Sequence, residues 1–516
     1  VLQSELRRFT LPKPKTGGSI RTATVLPDKL TLDPLFQASM AANVVQKAIH
    51  ETLVRFGEGA ELLPGLAEKW EILDEGRAYR FHLRRRAKFQ NGKQVTARDV
   101  EASFLRLMSP KHKSGGRYLM QDIRGARAVI EGRAERAEGI IVRDDQTLDL
   151  VVDEAPVFFL MLLTLTKTAI VPIEEGRDVE RFRLHPVGAG PYRVVEAVEG
   201  SHVLVRRNEH FYDDDRARLA EIRFRLDFSN AREFVDAFLR DELDVAHRVP
   251  MNLVAELKHD PRYAPYLGDT IFQHTSYLGF DCTAKPFDRM EVRQAMNYAI
   301  DRGRINDKIF GGLGVPAKSL LPPGLPGYDD ELQGYAFDPD RARALLRSAG
   351  VASGIRVEYW SHPHDEGMNT GVVPLIIEDL ARIGVKVEVV ESTLEGIRAA
   401  IDKPGHNVVF VRNWFGDIPD PDNFFWNFFH PTSTVIPGIN YHEPDVVAMI
   451  DTARRTIDME ERAEIYRLLN ARILRDAPIV PLFHERFFIL HRPEIRELRP
   501  ALVTPPVRYD KLWVDL

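Results

Sequence analysis

The stretch from residue 338 to 411 constrains the fold most, because apolar residues recur there at helical and strand spacing in turn. Asp338-Pro339 opens a helix with Ala342, Leu345, Leu346 and Ala349 on its inner face, and Gly350 closes it. Residues 355–360 read as a strand and 371–383 as a helix ended by Gly384. Residues 385–390 read as a strand, 394–402 as a short helix and 407–411 as a buried strand. That order requires crossovers, and crossovers give a parallel sheet flanked by helices.

The rest of the chain mixes shorter signals. Leu11-Pro-Lys-Pro-Lys-Thr-Gly-Gly18 resists packing and reads as an extended leader, followed by strand-like alternation over 19–25. A helix is expected over 41–53. Strands are expected over 68–73 and 79–83, joined by the turn Asp74-Glu-Gly76. Thr96 with Asp99 three residues on marks a helix start, and 140–152 reads as a second hairpin. Residues 186–228 are rich in strands and turns. Helices follow near 231–240 and 250–258, and an amphipathic helix over 460–475 carries Tyr466, Leu469 and Ile473 on one face. The fold class is α/β with mixed sheets.

Charge and cysteine content exclude several functions. The 70 Lys and Arg against 76 Asp and Glu leave a net charge of −6, which argues against a nucleic-acid surface. Arg84-Arg-Arg86 is then a solvated strand end. The single Cys282 allows no intrachain disulfide and no multi-cysteine metal site. The densest apolar run, 157–165, is too short to cross a bilayer. The chain begins at Val1 rather than Met, so its native start is expected to be processed or to lie upstream.

Ligands in open α/β sheets bind beyond the carboxyl ends of the strands. The segment after 407–411 is Arg412-Asn413-Trp414-Phe415-Gly416-Asp417-Ile418-Pro419-Asp420-Pro421-Asp422-Asn423-Phe424-Phe425-Trp426, and it reads as a strand-end loop. An aromatic wall beside a carboxylate suits a cationic or polar small ligand. The competing reading is a packed loop whose aspartates cap the next helix. Pro419 and Pro421 interrupt the spacing a calcium loop needs, so no metal is expected there. His362-Pro-His364-Asp-Glu366 reads as a polar loop at a neighbouring strand end rather than as a metal site. Gly188-Ala-Gly-Pro-Tyr192 lacks the Gly-Lys-Ser/Thr of a phosphate loop and reads as a sharp turn entering a strand. No nucleophile motif is present.

Five ordered segments resemble one family. They are Leu63-Pro-Gly-Leu-Ala-Glu-Lys-Trp70 with Tyr79-Arg-Phe-His-Leu-Arg84, Lys88-Phe-Gln-Asn-Gly92 and Thr96-Ala-Arg-Asp-Val100; Val187-Gly-Ala-Gly-Pro-Tyr192 with Arg207-Asn208; Val292-Arg-Gln-Ala-Met-Asn-Tyr-Ala-Ile-Asp301; Asp338-Pro-Asp with Ala344-Leu-Leu and Ala349-Gly350; and Trp414-Phe-Gly-Asp417-Ile-Pro-Asp420-Pro421. Together they resemble the extracellular solute-binding proteins of ABC importers, family 5, the peptide/nickel/opine group.

The resemblance implies a two-lobe periplasmic-binding-protein fold, type II, cluster C, with an extra subdomain in lobe I. Residues 1–49, 185–270 and 488–516 would form lobe I, 50–184 the inserted subdomain and 271–487 lobe II. The hinge would lie near 273–280 and 483–490. A monomer would trap its ligand by closing and then engage a membrane permease, outside the cytoplasm. The ligand would be peptide-like, an opine or a sugar-phosphate conjugate such as an agrocinopine. No catalysis, cofactor, metal or nucleic acid is implied.

In similar dipeptide binders the aspartate matching Asp417 takes the ligand ammonium. Trp414, Asn413, Phe415 and Gly416 would complete that wall, and Met40, Ala42 and Asn43 align with a cleft-lining stretch, as do Arg117 and Tyr118 in the loop that starts at Gly115. The loop Ser361-His-Pro-His-Asp-Glu-Gly-Met-Asn369 lacks the arginine that dipeptide binders use for the ligand carboxylate, so an anionic sugar conjugate would take its charge from Arg117, Arg412 or backbone N–H groups and rest its ring on Trp414. Two other readings compete: a cytoplasmic ligand-sensing domain of a transcriptional regulator with the same fold, and a hydrolase.

Overall fold

The alternating stretch folds into a six-stranded mixed sheet in this computed structural model. Its order is Val315–Pro316, Ile479–His484, His274–Gly279, Val408–Phe415, Ile355–Ser361 and Val385–Glu391. Ile355–Ser361 runs parallel to Val385–Glu391 and to Val408–Phe415. The helices Val373–Arg382 and Leu394–Ile401 make the crossovers that connect them. Val373, Leu375, Ile376 and Leu380 of the first crossover helix are buried with Val357 and Tyr359 of the sheet. The structure describes residues 14–24, 29–36, 40–57, 61–112, 114–154, 156–351, 354–362, 371–433, 435–498, 500, 505 and 507–515. His364 and Glu366, in the polar loop after 355–360, lie outside the described residues, as does most of the leader.

The strand expected over 407–411 is longer than its apolar run. His274–Gly279 pairs antiparallel with it from Phe410 to Phe415, so Arg412, Asn413, Trp414 and Phe415 belong to a strand rather than a loop. A neighbouring strand whose own backbone needed partners extended it.

A second group of sheets is built from the chain's other parts. Ser19–Ala23 pairs parallel with Glu221–Arg225, which pairs antiparallel with His202–Arg207 and through it with Tyr192–Val198. Arg486–His491 lies between Val245–His247 and Leu267–Ile271 in a three-stranded antiparallel sheet. The chain passes between the three-stranded and six-stranded sheets twice. It goes out from Leu267–Ile271 through Phe272 and Gln273 to His274–Gly279, and returns from Ile479–His484 through Glu485 to Arg486–His491. Both crossings fall beside the segments expected to act as hinges.

Residues between these parts form a four-stranded antiparallel sheet in the order Ala67–Leu73, Ala78–Leu83, Thr147–Val151 and Ile140–Val142. Asp74, Glu75 and Gly76 make its first turn with φ of 49°, 52° and 87°. The helix Ala97–Met108 covers the sheet and starts with a capping box: Asp99 N–H donates to Thr96 Oγ1, and Thr96 N–H donates to Asp99 Oδ2 at 3.0 Å. Phe81, Phe89, Phe104 and Phe159 fill the space beneath.

The Gly188-Ala-Gly-Pro-Tyr192 turn has a packing reason. A Cβ on Gly190 would stand 2.5 Å from the Ile49 carbonyl carbon and 2.7 Å from the His50 nitrogen. The turn lies on the end of the helix Met40–Ile49, where Gly190 N–H donates to the Ile49 carbonyl at 2.9 Å and Gln90 Nε2 donates to it at 2.8 Å. Those two donors cap the helix at Ile49, short of the 53 expected from sequence.

Candidate functional site

The segment after the strand Val408–Phe415 is fixed by two arginines from later helices. Arg462, on Met459–Asp476 and 1% exposed, binds Asp420 through both terminal nitrogens at 2.7 Å each. Arg454, on Pro444–Arg455, donates to Asp422 at 2.8 Å, and the Tyr466 hydroxyl donates to the other oxygen of Asp422 at 3.3 Å. Asp422 N–H donates to Asp420 Oδ1 at 2.8 Å. Two of the three aspartates are therefore committed to structure, through arginines of later helices rather than by capping the next helix as the packed-loop reading expected.

The third aspartate turns elsewhere. Asp417 N–H donates to Asn423 Oδ1 at 3.0 Å, and Asp417 Oδ2 accepts the Tyr118 hydroxyl at 2.9 Å. Tyr118 sits on the 3-10 turn Arg117–Met120 of the inserted segment, where a loop was expected. Burial, and then the Asp417 charge, raise the Tyr118 phenol well above its ordinary range, so it stays a donor. Gly416 N–H donates to the Gln273 carbonyl at 2.7 Å, which ties this corner to the first chain crossing.

The other expected residues fall on different faces of the strand. Trp414 packs edge-on to Phe428, with ring centroids 6.2 Å apart, and its indole N–H is buried without an acceptor among the described residues. Arg412 shares that face and donates to the Val411 carbonyl at 3.1 Å. Phe415 lies 4.5 Å from the His274 ring and 5.8 Å from Phe272. Asn413 Oδ1 accepts from His274 Nε2 at 3.1 Å and from Ser276 Oγ at 2.5 Å. Arg117 Nε donates to the Ser114 carbonyl. Asn43 is buried and its Oδ1 accepts the Thr166 hydroxyl at 2.6 Å, so it serves packing between the helix Met40–Ile49 and the inserted segment. Met40 opens that helix, and its side chain lies outside what is described.

A cavity of about 490 Å³ opens beside Asn413, between the two groups of sheets. Arg248, Asn252, His274, Asn413, Glu485 and Arg486 supply its polar lining, and Phe310 and Phe483 supply apolar surface. Its size and mixed lining suit a small solute. A smaller cavity of about 90 Å³ lies under Tyr118, among Asp122, Phe158, Trp426 and Arg454. Arg454 approaches Asp122 at 3.7 Å and stacks over Phe158 and Trp426, at 4.9 and 3.8 Å from the ring centroids. Here too the inserted segment meets the six-stranded-sheet half.

Sequence reasoning missed His274, Arg248, Glu485 and Arg486. Three of them stand in or beside the chain crossings, so the expected hinge positions were the available signal. Arg248 carried none, since its φ of 60° has no glycine to announce it.

Comparison with known proteins shows the family and the fold. Residues 61–435 match the sequence model of the bacterial extracellular solute-binding proteins, family 5. The dipeptide-binding protein of Escherichia coli K12 is 28% identical over 495 residues, which cover 91% of this chain and 89% of that protein. The heme-binding protein A of Haemophilus influenzae is also 28% identical over 495 residues, covering 91% of this chain and 87% of that protein. Among solved structures, the periplasmic binding protein AgaA from A. tumefaciens R10, in complex with agropinic acid, superposes with a TM-score of 0.81 at 25% identity. That match covers 97% of this chain and 99% of AgaA.

Proposed function

This chain belongs to the bacterial extracellular solute-binding proteins of family 5, and from that we propose that it captures one small solute between two lobes and delivers it unaltered to an ABC importer. The two lobes are the six-stranded-sheet half and the half that carries the four- and three-stranded sheets. The two short crossings at 272–273 and 485 act as the hinge. The receiving partner is a membrane permease, and the protein works in the periplasm as a monomer.

The observation that carries this reading is the contact between Tyr118 and Asp417 at 2.9 Å, which joins the inserted segment to the six-stranded-sheet half. A carboxylate held at that junction is placed to take a ligand ammonium, and closing the lobes removes the pair from water and strengthens it. The relatives bind chemically different guests: a dipeptide, heme and agropinic acid. We assign this chain an amino-bearing guest of the peptide or opine kind, because Asp417 is the acidic group of the segment that no arginine among its described partners claims. The relatives act as binding proteins, which supports capture without chemistry and lends no support to the regulator or hydrolase readings.

The test is isothermal titration calorimetry of the refolded, ligand-free protein with dipeptides and agropinic acid. Binding by a dipeptide, lost in Asp417→Asn, supports the reading, with agropinic acid, an acidic lactam without an amine, as the comparison probe. Binding that is unchanged in Asp417→Asn removes Asp417 from it.

A further inference from the structure

In one small cavity the basic residues outnumber the acids around them. The cavity has a volume of about 20 Å³ and lies among the helix Met40–Ile49, the strand Val54–Phe56, Arg216 and the C-terminal segment 507–510. Lys47, Arg55, Arg216 and Arg508 line it, and Asp510 is the acidic residue among the described lining. Val44 and Phe56 add apolar wall, against which an unneutralised charge is costly. The cavity shares no lining residue with those beside Asn413 and under Tyr118.

The nearest carboxylates are already claimed by one arginine. Arg216 Nη1 stands 2.8 Å from Glu51, and Arg216 Nε donates to Asp510 Oδ2 at 2.8 Å. The other three cations rest on neutral backbone carbonyls. Lys47 Nζ donates to Thr164 at 2.9 Å and Arg55 Nε to Pro64 at 3.2 Å. Arg508 Nη1 donates to Phe56 and Gly57 at 2.8 and 2.6 Å. Arg508 Nε is buried with no hydrogen-bond acceptor among the described residues, so one charged donor is left unmet.

The electrostatics agree with the geometry. Burial, and after it the neighbouring guanidiniums, lower the Lys47 ammonium to about 8 against the opposing pull of Glu51 and Asp510. Burial likewise pushes Arg508 below its usual range, although Asp510 and Glu61 act the other way. Setting Glu51, Asp510 and the exposed Glu61 against the four cations leaves one positive charge among the described residues.

We infer that this cavity is a binding site for one monovalent anion of halide size, with Arg508 Nε–H as a donor to it and Lys47 and Arg55 supplying charge. The space suits one water-sized body rather than a phosphate or an organic acid. Asp510 faces the same space and limits it to a single negative charge. The anion ties the segment 507–510 to the first helix and to the strand Val54–Phe56. It therefore acts on the stability of this part of the chain, and its occupancy does not depend on the solute assigned to Asp417.

The test uses the full chain with sodium chloride as the probe. Sodium gluconate, whose anion is too large for the cavity, replaces it at constant ionic strength. Raising chloride from about 10 to about 100 mM should lower the unfolding equilibrium constant in urea by about threefold or more, and Lys47→Met and Arg508→Gln should each flatten that response to less than roughly 1.5-fold. A wild-type crystal soaked in sodium bromide should show an anomalous scattering peak in the cavity beside Arg508 Nε. Should both variants fail to fold, the bromide peak and the wild-type chloride response together decide. A chloride response that survives in the variants puts the anion elsewhere and overturns the inference. So does a bromide peak without any chloride response, which is binding at crystal concentration only, and so does a water alone in the cavity.

Discussion

Tyr118 and Asp417 are 299 residues apart in sequence, yet the Tyr118 hydroxyl donates to the Asp417 carboxylate at 2.9 Å. The bond joins two parts of the chain that share no sheet, so it can form only when the inserted segment and the six-stranded-sheet half come together. Tyr118→Phe removes the donor and leaves the ring. It should loosen the closed arrangement, seen as a larger radius of gyration in small-angle scattering of the ligand-free protein. Ligand affinity should fall by roughly 10-fold, in line with about 1.5 kcal/mol for a hydrogen bond to a charged group. An unchanged scattering curve and affinity would mean that the contact holds nothing.

The Arg462–Asp420 pair is buried and bonded twice, at 2.7 Å each. Arg462→Met strands the Asp420 carboxylate and should cost about 3–5 kcal/mol in urea unfolding. Combining it with Asp420→Leu should return part of that loss. A cost below about 1 kcal/mol for Arg462→Met would show that the pair does not hold the site segment.

Gly190→Ala should destabilise by about 1–3 kcal/mol, because its Cβ would meet the Ile49 carbonyl carbon at 2.5 Å and backbone cannot give way as a side chain can. Thermal unfolding followed by circular dichroism measures it. Gly115→Ala is the control for space, since nothing stands within 4 Å of its Cβ and its backbone is not left-handed.

Asp510 sets an acid limit. Burial alone would raise its carboxyl, but the Arg216 and Arg508 guanidiniums outweigh that and hold it at about 2, against an ordinary 3.8. Arg216 Nε donates to Asp510 Oδ2 at 2.8 Å. A carboxyl depressed in the folded state stabilises above its unfolded pKa, and the stabilisation is lost as pH falls through the folded value. Unfolding free energy should therefore drop by about 2 kcal/mol between pH 4 and 2 from this group. In Asp510→Asn that part of the slope should disappear. A slope unchanged by the substitution would contradict the assignment.

The crossover half was legible because each of its elements carries its own period and punctuation: Asp338 accepts the Arg341 N–H as a cap, and Gly384 takes φ of 84°. The reach of the strand past Val411 was not legible, since Arg412 and Asn413 have no apolar pattern and are held by pairing with Tyr277 and Ser276 from far away in sequence. The aromatic setting marked the segment, and only the resemblance to dipeptide binders singled out Asp417 among its three aspartates. That Asp420 and Asp422 belong to Arg462 and Arg454 depends on helices some thirty to forty residues on, which local spacing does not encode. That Asn413 Oδ1 accepts from His274 and Ser276 depends on a strand more than a hundred residues earlier, so only the assembled fold expresses it.

The most direct test is to release whatever solute co-purifies with the protein, identify it by mass spectrometry and titrate it back into the refolded wild type and Asp417→Asn. The account predicts an intact amino-bearing solute that binds the wild type and is weakened by about 2–4 kcal/mol, roughly 30- to 1,000-fold, in the variant. A solute without an amine, or equal affinity in the two proteins, would contradict it.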